Sequence, residues 1–545
     1  MDEQHNNELL QVENPAAQTP PAADEIHYPS GMVLPAPAQE PQERYPRRRA
    51  AGRDLGLAAI LLLFCFLFWD SICWAVGLGL GEALGLAGLL PAALWYLRGR
   101  PGRLTGYGLI CAVLYLLGAV SLVFSGDGVL KVLTIFALVP LFLIVILERL
   151  GLRTGHSLRA RISDHWYLLF QMGFGRFPTG SWALTHAGPE DSVRSKRARA
   201  MLLGLLCAIP ALMILFPLLI SSDAAFAGLM GRFDLRMLGR FLLALCIGGI
   251  LALLIFSLLF TSDRGPNPLQ AVARKGLEPV AVAAFLAAVS AIYLLYLAAQ
   301  FAYFTDAFKG LLPKDFTVAQ YARRGFFEMC AIVAINLGLI VLAVGLCRKD
   351  GGKVPGAVKG LSLFLCIFSL GLVATALSKM VLYMGSFGLT RLRILTSVFM
   401  VFLAVIVIAE AVKLFVGRLQ VIRLAVVLGA VLLIALSLSN VDGQVARYNV
   451  DAYRSGRLDS LDIRTVCELG DGAVPSLAEL ACGEDGQIAA VAAKELEQRL
   501  AAFQLTGRGE SADSAFVANS SSTDLRSWNL IRQQACEALQ AYRDR

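Results

Sequence analysis

Charge is scarce in this sequence. Asp, Glu, Lys and Arg supply 17% of its residues and apolar side chains 57%, whereas a soluble domain carries about 25% charge. A soluble fold could not hide that excess, because its surface would become one continuous apolar patch. Histidine is scarcer still, with five in all. His156, His165 and His186 share one polar stretch with Asp164, but their spacing matches no compact metal motif, and they read as solvated or interfacial. The eleven cysteines form no CxxC pair and no zinc spacing. Cys65 to Cys366 lie in or beside apolar runs, where cysteine behaves as a small hydrophobe. A Walker A loop, a Gly-x-Ser-x-Gly elbow and a His-Glu-x-x-His pair are all missing. The sequence therefore assigns no reaction, catalytic residue, cofactor or metal, and leans away from an enzyme. It also lacks a secretory signal, since the first apolar run follows a long polar tail and is too long for a signal-peptide core. The net charge of +8 does not imply nucleic acid, because the cations lie in short connections between apolar runs, where they set orientation.

What the chain has in quantity is long apolar runs, and these predict an all-α polytopic transmembrane helix bundle. In lipid only helices or closed barrels satisfy the backbone, and these runs lack the alternation of a barrel. Eleven blocks have spanning length: Leu55–Trp74, Ala75–Leu97, Leu104–Phe124, Val129–Leu147, Ala200–Ile220, Leu238–Phe260, Leu277–Phe301, Gly325–Cys347, Gly360–Leu382, Leu395–Phe415 and Val421–Leu438. Three regions follow: a tail over 1–54, rich in Pro and acids, disordered to about Pro46 and ending in a basic run (Arg44, Arg47, Arg48, Arg49, Arg53); the bundle over 55–440; and helices over 441–545. Alternate connections carry 27 and 11 Lys and Arg, a bias that predicts a cytoplasmic N-terminus and an extracytoplasmic C-terminus. Within the second block, Gly77, Gly81 and Gly85 share one helix face and predict close helix packing. Pro210 and Pro217 predict a kink. The 148–199 connection holds Trp166–Phe170, a candidate interfacial helix.

Past Asn440 the pattern predicts a small all-α extracytoplasmic domain. Gly456 reads as a helix stop, Asp459 or Ser460 as an N-cap, Pro475 as a first-turn residue, Gln487–Phe503 as a helix and Thr523 as the cap of the last helix. Leu458, Leu461, Ile463, Val466 and Leu469 are its expected core. Cys467 and Cys482 could pair, with Cys536 competing.

Three stretches carry a resemblance. They are Gln320-Tyr321-Ala322-Arg323-Arg324-Gly325-Phe326-Phe327-Glu328 with Ile335-Asn336-Leu337; Ser378-Lys379 through Tyr383 to Gly388-Leu389-Thr390-Arg391-Leu392-Arg393; and Tyr448–Asp462 with Gly470-Asp471-Gly472-Ala473-Val474-Pro475. The chain resembles the bacterial membrane-protein family called domain of unknown function 4173. The resemblance implies a multi-span protein of a bacterial cell membrane and supplies no reaction.

Ionisable residues within or at the ends of spans, Asp70, Glu82, Glu328, Lys379 and Glu410, either face an interior or pair structurally, as Arg324 with Glu328 and Glu410 with Lys413. The outer connections concentrate cations at span ends. Arg323, Arg324, Lys379, Arg391 and Arg393, with Glu328 and Tyr383 beside them, form the candidate ligand site, because Arg suits bidentate contact with carboxylate or phosphate. The expected partner is an anionic lipid, a cell-envelope ligand or acidic residues of the C-terminal domain. Two functions follow: transport or handling of an anionic or lipid-like ligand, or sensing and assembly through the C-terminal domain and a protein partner.

Overall fold

The computed structural model describes residues 48–74, 79–99, 102–151, 164–187, isolated helical positions from 204 to 222, and residues 235–262, 276–308, 326–348, 353–507 and 528–544. The tail before Arg48, the kink at Pro210 and Pro217, and the Thr523 cap lie outside them. Among the described residues the architecture is all-α. The apolar helices are α1 (Gly52–Trp74), α2 (Leu80–Tyr96), α3 (Gly106–Ser121) and α4 (Gly128–Leu150). A π-helix at Tyr167–Phe174 and the short α5 (Phe177–Thr185) follow. Then come α6 (Leu235–Thr261), α7 (Pro279–Phe308), α8 (Phe326–Leu346), α9 (Gly356–Phe387), α10 (Arg391–Lys413) and α11 (Val421–Leu438). Eight of these are long and apolar enough to cross a membrane, and α2 and α3 are shorter apolar helices. The expected eleven spans are thus eight candidates and two shorter helices here, and the Ala200–Ile220 block lies largely outside the described residues.

Small residues set how closely these helices approach. A Cβ at Gly85 would lie 2.8 Å from the Phe64 carbonyl oxygen, and one at Gly88 would enter the Phe64 ring. The face of α2 against α1 therefore uses Gly85 and Gly88. Gly77, expected to share that face, lies outside the described residues. Gly248 plays the same part for α6, where a Cβ would lie 2.9 Å from the Cys65 carbonyl oxygen. Phe66 and Phe241 meet at 5.3 Å between ring centroids while Arg48, just before α1, lies over Phe260 near the end of α6, so α6 runs antiparallel to α1. In the second half a polar string replaces glycine. Tyr293 Oη donates to Asn336 Oδ1 at 2.7 Å, and Asn336 Nδ2 donates to Ser369 Oγ at 3.0 Å. It joins α7, α8 and α9, the kind of interhelical glue that hydrocarbon favours. The π-helix that includes the Trp166–Phe170 stretch turns Tyr167, Leu168 and Met172 into the core and leaves Phe170, Phe174 and its N-cap Trp166 exposed.

After Asn440 come α12 (Val441–Arg454), α13 (Ile463–Cys467), a 3₁₀ turn at Asp471–Ala473, α14 (Val474–Ala481), α15 (Gly486–Gly507) and α16 (Leu530–Arg543). Gly456 stops α12 with φ +70°, and Pro475 sits in the first turn of α14. The N-cap of α13 is Asp462, not Asp459 or Ser460. Residues before it are still turning, and only the Asp462 carboxylate reaches the Thr465 amide and hydroxyl, at 3.2 and 2.7 Å. Asn529 caps α16 through the Ile531 and Arg532 amides. Leu458, Val466 and Leu469 are buried, and Leu461 and Ile463 pack at the edge of a cluster whose centre is Val445, Val474, Leu477, Ala492, Leu496 and Ala535. That cluster also takes in Leu130 of α4 and Leu395 of α10, so these helices share a core with span ends. Cys467, Cys482 and Cys536 are free thiols.

The helix ends sort onto two faces. At the first, Arg48 pairs with Asp54, Arg149 reaches the Gly102 carbonyl, the Ala50 amide donates to Ala183, Lys359 lies over Phe415 and Arg423 over Tyr107. At the second, the C-terminal helices meet the α3–α4 turn, the α9–α10 turn and the start of α2.

Candidate functional site

The second face holds a buried, charged junction, and its parts come from well-separated stretches. The α3–α4 turn ends at Asp127, which caps α4 by accepting from the Val129 amide at 2.8 Å. The α9–α10 turn needs Gly388, whose φ is +70°, and Thr390 then caps α10. This puts Arg391 at the first position of α10, between two carboxylates: its Nη1 lies 3.4 Å from Asp127 Oδ1 and 3.6 Å from Asp442 Oδ2. Both carboxylates are almost wholly buried, while Arg391 is 36% exposed. Asp442 Oδ2 also accepts from the Gly470 amide at 2.9 Å. Asn440 lies in the left-handed region at φ 46° and brings Gly443 and Gly472 into close contact.

Asparagines fasten the rest. Asn449 Oδ1 accepts from the Leu389 amide at 2.7 Å, and its Nδ2 donates to the Leu389 carbonyl at 2.8 Å. Asn529 Nδ2 donates to the Ser125 carbonyl at 2.7 Å. The Leu530 amide donates to Val123 and the Leu80 amide to Trp528. Glu82 and Lys131 are buried nearby, and Lys131 lies within reach of the charges of Glu82, Asp471, Asp127 and Arg532. Glu82, Asp127 and Asp442 each keep one buried oxygen without a hydrogen-bond partner. Unpartnered buried carboxylate oxygens are costly, so the junction is held by neighbouring cations rather than by full hydrogen bonding.

The expected ligand residues fall as follows. Arg391 is in the junction. Arg393 turns back on its own helix start, donating to Phe387 at 3.0 Å and to Gly388, with its guanidinium 4.2 Å from the Tyr383 ring centroid. Lys379 is half-buried on α9 and Glu328 is exposed in the first turn of α8. Arg323 and Arg324 lie outside the described residues. Of the charges expected within or at the ends of spans, Asp70, Glu82 and Glu410 are buried, and Glu410 takes Lys413 at 3.0 Å on both oxygens. Sequence reasoning missed Asp127, Asp442 and Asn529. Its available signal was that Asp127 and Asp442 are lone carboxylates at span ends on the side already assigned to Arg391. Two of the three resemblance stretches meet here, Gly388–Arg391 against Asn449 and Gly470–Pro475 against Asn440 and Asp442. The described residues bring together no group of three side chains able to hold a metal ion.

The Asp442 carboxyl is raised from its ordinary value of 3.8, chiefly by burial and also by the charge of Asp127, while the Gly470 amide, Arg391 and Arg499 oppose the rise. A raised carboxyl contributes stability that is fully present below its unfolded value and is lost as pH rises through the folded one. Limited proteolysis of the detergent-purified chain should therefore find the C-terminal helices better protected at mildly acidic than at neutral pH. Asp462 and Asp485 run the other way, held down by Thr465 and by Tyr453 respectively, and act equally in an Asp442→Asn variant. The difference between the two profiles isolates Asp442, and identical profiles would remove it as the source.

A family model described as "Domain of unknown function (DUF4153)" matches residues 104–480. The matching family is thus 4153, where the motif stretches pointed to 4173, and the match extends through α3 and α4, which were legible only as apolar pattern. No curated protein and no solved structure matches the chain.

Proposed function

The chain belongs to the domain of unknown function 4153 family, and for this member we propose a multi-pass protein of a bacterial cell membrane that senses or assembles through its C-terminal helices. The observation that carries the reading is Arg391, shared between Asp127 of the bundle and Asp442 of α12. An ion bridge is a poor way to gain stability, because desolvation offsets most of the attraction. It is a good way to make docking conditional, since loss of either partner changes the balance sharply. Eleven spans with a cytoplasmic N-terminus are part of this proposal. They are supported by the sorting of helix ends: the cation-rich connections end at the first face and the cation-poor ones at the second.

Two experiments test it. Alkaline phosphatase fused after Arg545 should be active and a fluorescent protein there dark; bright cytoplasmic fluorescence would reverse the orientation. A cysteine pair at Val123 and Leu530, whose backbones already share a hydrogen bond, should lock the helices down. The oxidised protein should then fail to complement a deletion strain, and reductant should restore it. Full complementation by the locked protein would make the C-terminal helices a static cap.

The second reading, handling of an anionic or lipid-like ligand, assigns Arg323, Arg324, Lys379, Arg391 and Arg393 to that ligand, with Glu328 and Tyr383 beside them. Its support is the concentration of cations against the orientation bias. Under it, Lys379→Ala should abolish complementation at unchanged membrane abundance. The first reading expects Lys379→Ala to complement fully.

A further inference from the structure

Between α2 and α3, at the first face, lies a groove of about 580 Å³. Its walls include Leu90, Leu94, Leu104 and Leu116, and its charged members are Arg98, Arg103 and Arg149, with no carboxylate among the lining residues. The arginines sit at one end. Arg98 follows the last turn of α2, Arg103 precedes α3, and Arg149 is pinned across the connection by the carbonyls of Gly102 and of Arg98 (2.7 Å). Arg98 and Arg103 are exposed and make no ion pair with any described residue. The neighbouring acid, Glu148, is buried and bonded to Thr105, accepting from its amide at 2.9 Å. From Arg98 to Leu90 the helix rises about 12 Å at 1.5 Å per residue, so the groove leads from a cationic end into apolar depth. The flanking α3 surface, Ile110, Val113 and Leu117, is about half exposed and apolar, as a helix facing acyl chains would be.

We propose that this groove binds one anionic phospholipid of the leaflet at the first face, its phosphate between Arg98 and Arg103 and one acyl chain along Leu94 and Leu90. Guanidinium groups match phosphate oxygens geometrically, and basic pockets between spans hold anionic headgroups. The wall supplies what a headgroup-only site lacks, a slot for the chain. The assignment is independent of what the C-terminal helices do.

The test is native mass spectrometry of the full-length protein, delipidated and titrated with phosphatidylglycerol or phosphatidylcholine. The wild type should retain phosphatidylglycerol preferentially. An Arg98→Gln/Arg103→Gln variant should bind it about 30-fold more weakly, from about 1 kcal/mol for each cation near the surface and tenfold for every 1.4 kcal/mol. Leu94→Trp should weaken retention by filling the slot, with the cations intact. Arg418→Gln, an exposed cation in the α10–α11 turn outside the groove, should change nothing. Equal loss in the Arg418 variant, equal retention of the two lipids, or displacement by inorganic phosphate alone would each overturn the proposal.

Discussion

Replacing Arg391 with alanine is expected to loosen the C-terminal helices from the bundle while the distant helices stay folded. The variant leaves Asp127 and Asp442, each almost fully buried, facing one another without the cation between them. Removing one partner of a buried pair costs about 3–5 kcal/mol. The lower end applies, about 3 kcal/mol, because Arg391 is itself 36% exposed and water screens part of the interaction. Hydrogen exchange should quicken across α12–α15, and α7–α9, joined by Asn336, should serve as the unchanged reference. Arg391→Lys should fall between, since an ammonium on a shorter stem keeps the charge but not the reach by which Nη1 meets both carboxylates. Exchange in α12–α15 as slow as in the wild type would show that Asn449 and Asn529 carry the docking alone.

Two adjacent glycines should respond in opposite ways. At Gly248 a Cβ would stand 2.9 Å from the Cys65 carbonyl oxygen and 3.0 Å from the Phe66 Cα and amide nitrogen. These are backbone atoms of a packed helix and cannot move aside, so Gly248→Leu must push α6 off α1. Overpacking of this kind costs about 1–3 kcal/mol and sometimes more, and the yield of monodisperse detergent-extracted protein should fall steeply. At Gly249 a Cβ would meet only the tip of Leu62, at 3.9 Å. Gly249→Leu should extract normally, with a melting temperature at or slightly above that of the wild type, because leucine is the better helix former. Equal behaviour of the two variants would refute close α1–α6 packing.

Much of this was legible in order along the chain. The block read as Val421–Leu438 is a helix with those ends. Gly456 and Pro475 do what their backbone chemistry requires. These features depend on one residue or one run, and local sequence states them. The N-cap at Asp462 shows the limit, since Asp459, Ser460 and Asp462 all had suitable side chains, and only the path of the turn decided which one reached an amide. The glycine stripe shows another. Spacing pointed to Gly85, where a Cβ would strike the Phe64 carbonyl, but could not single out Gly88, which meets the Phe64 ring only because of where α1 passes.

The sequence by itself determined the helical class of the molecule, because long apolar runs without strand alternation form helices, eight of them long and apolar enough to cross a membrane among the described residues. It also determined which connections are rich in cations, and with them the grouping of helix ends. It could not determine the partners of those charges. Arg391 lay among five candidate cations of equal standing, and Asp127 and Asp442 stand far from it in sequence, on either side. A charged side chain at a span end meets whatever the packing of the helices brings to it, and that packing is fixed by Cβ-scale fit at positions such as Gly85 and Gly248. The tertiary structure therefore decided that Arg391 faces two buried carboxylates, because only the assembled bundle brings the α3–α4 turn, the start of α10 and the start of α12 within reach of one guanidinium.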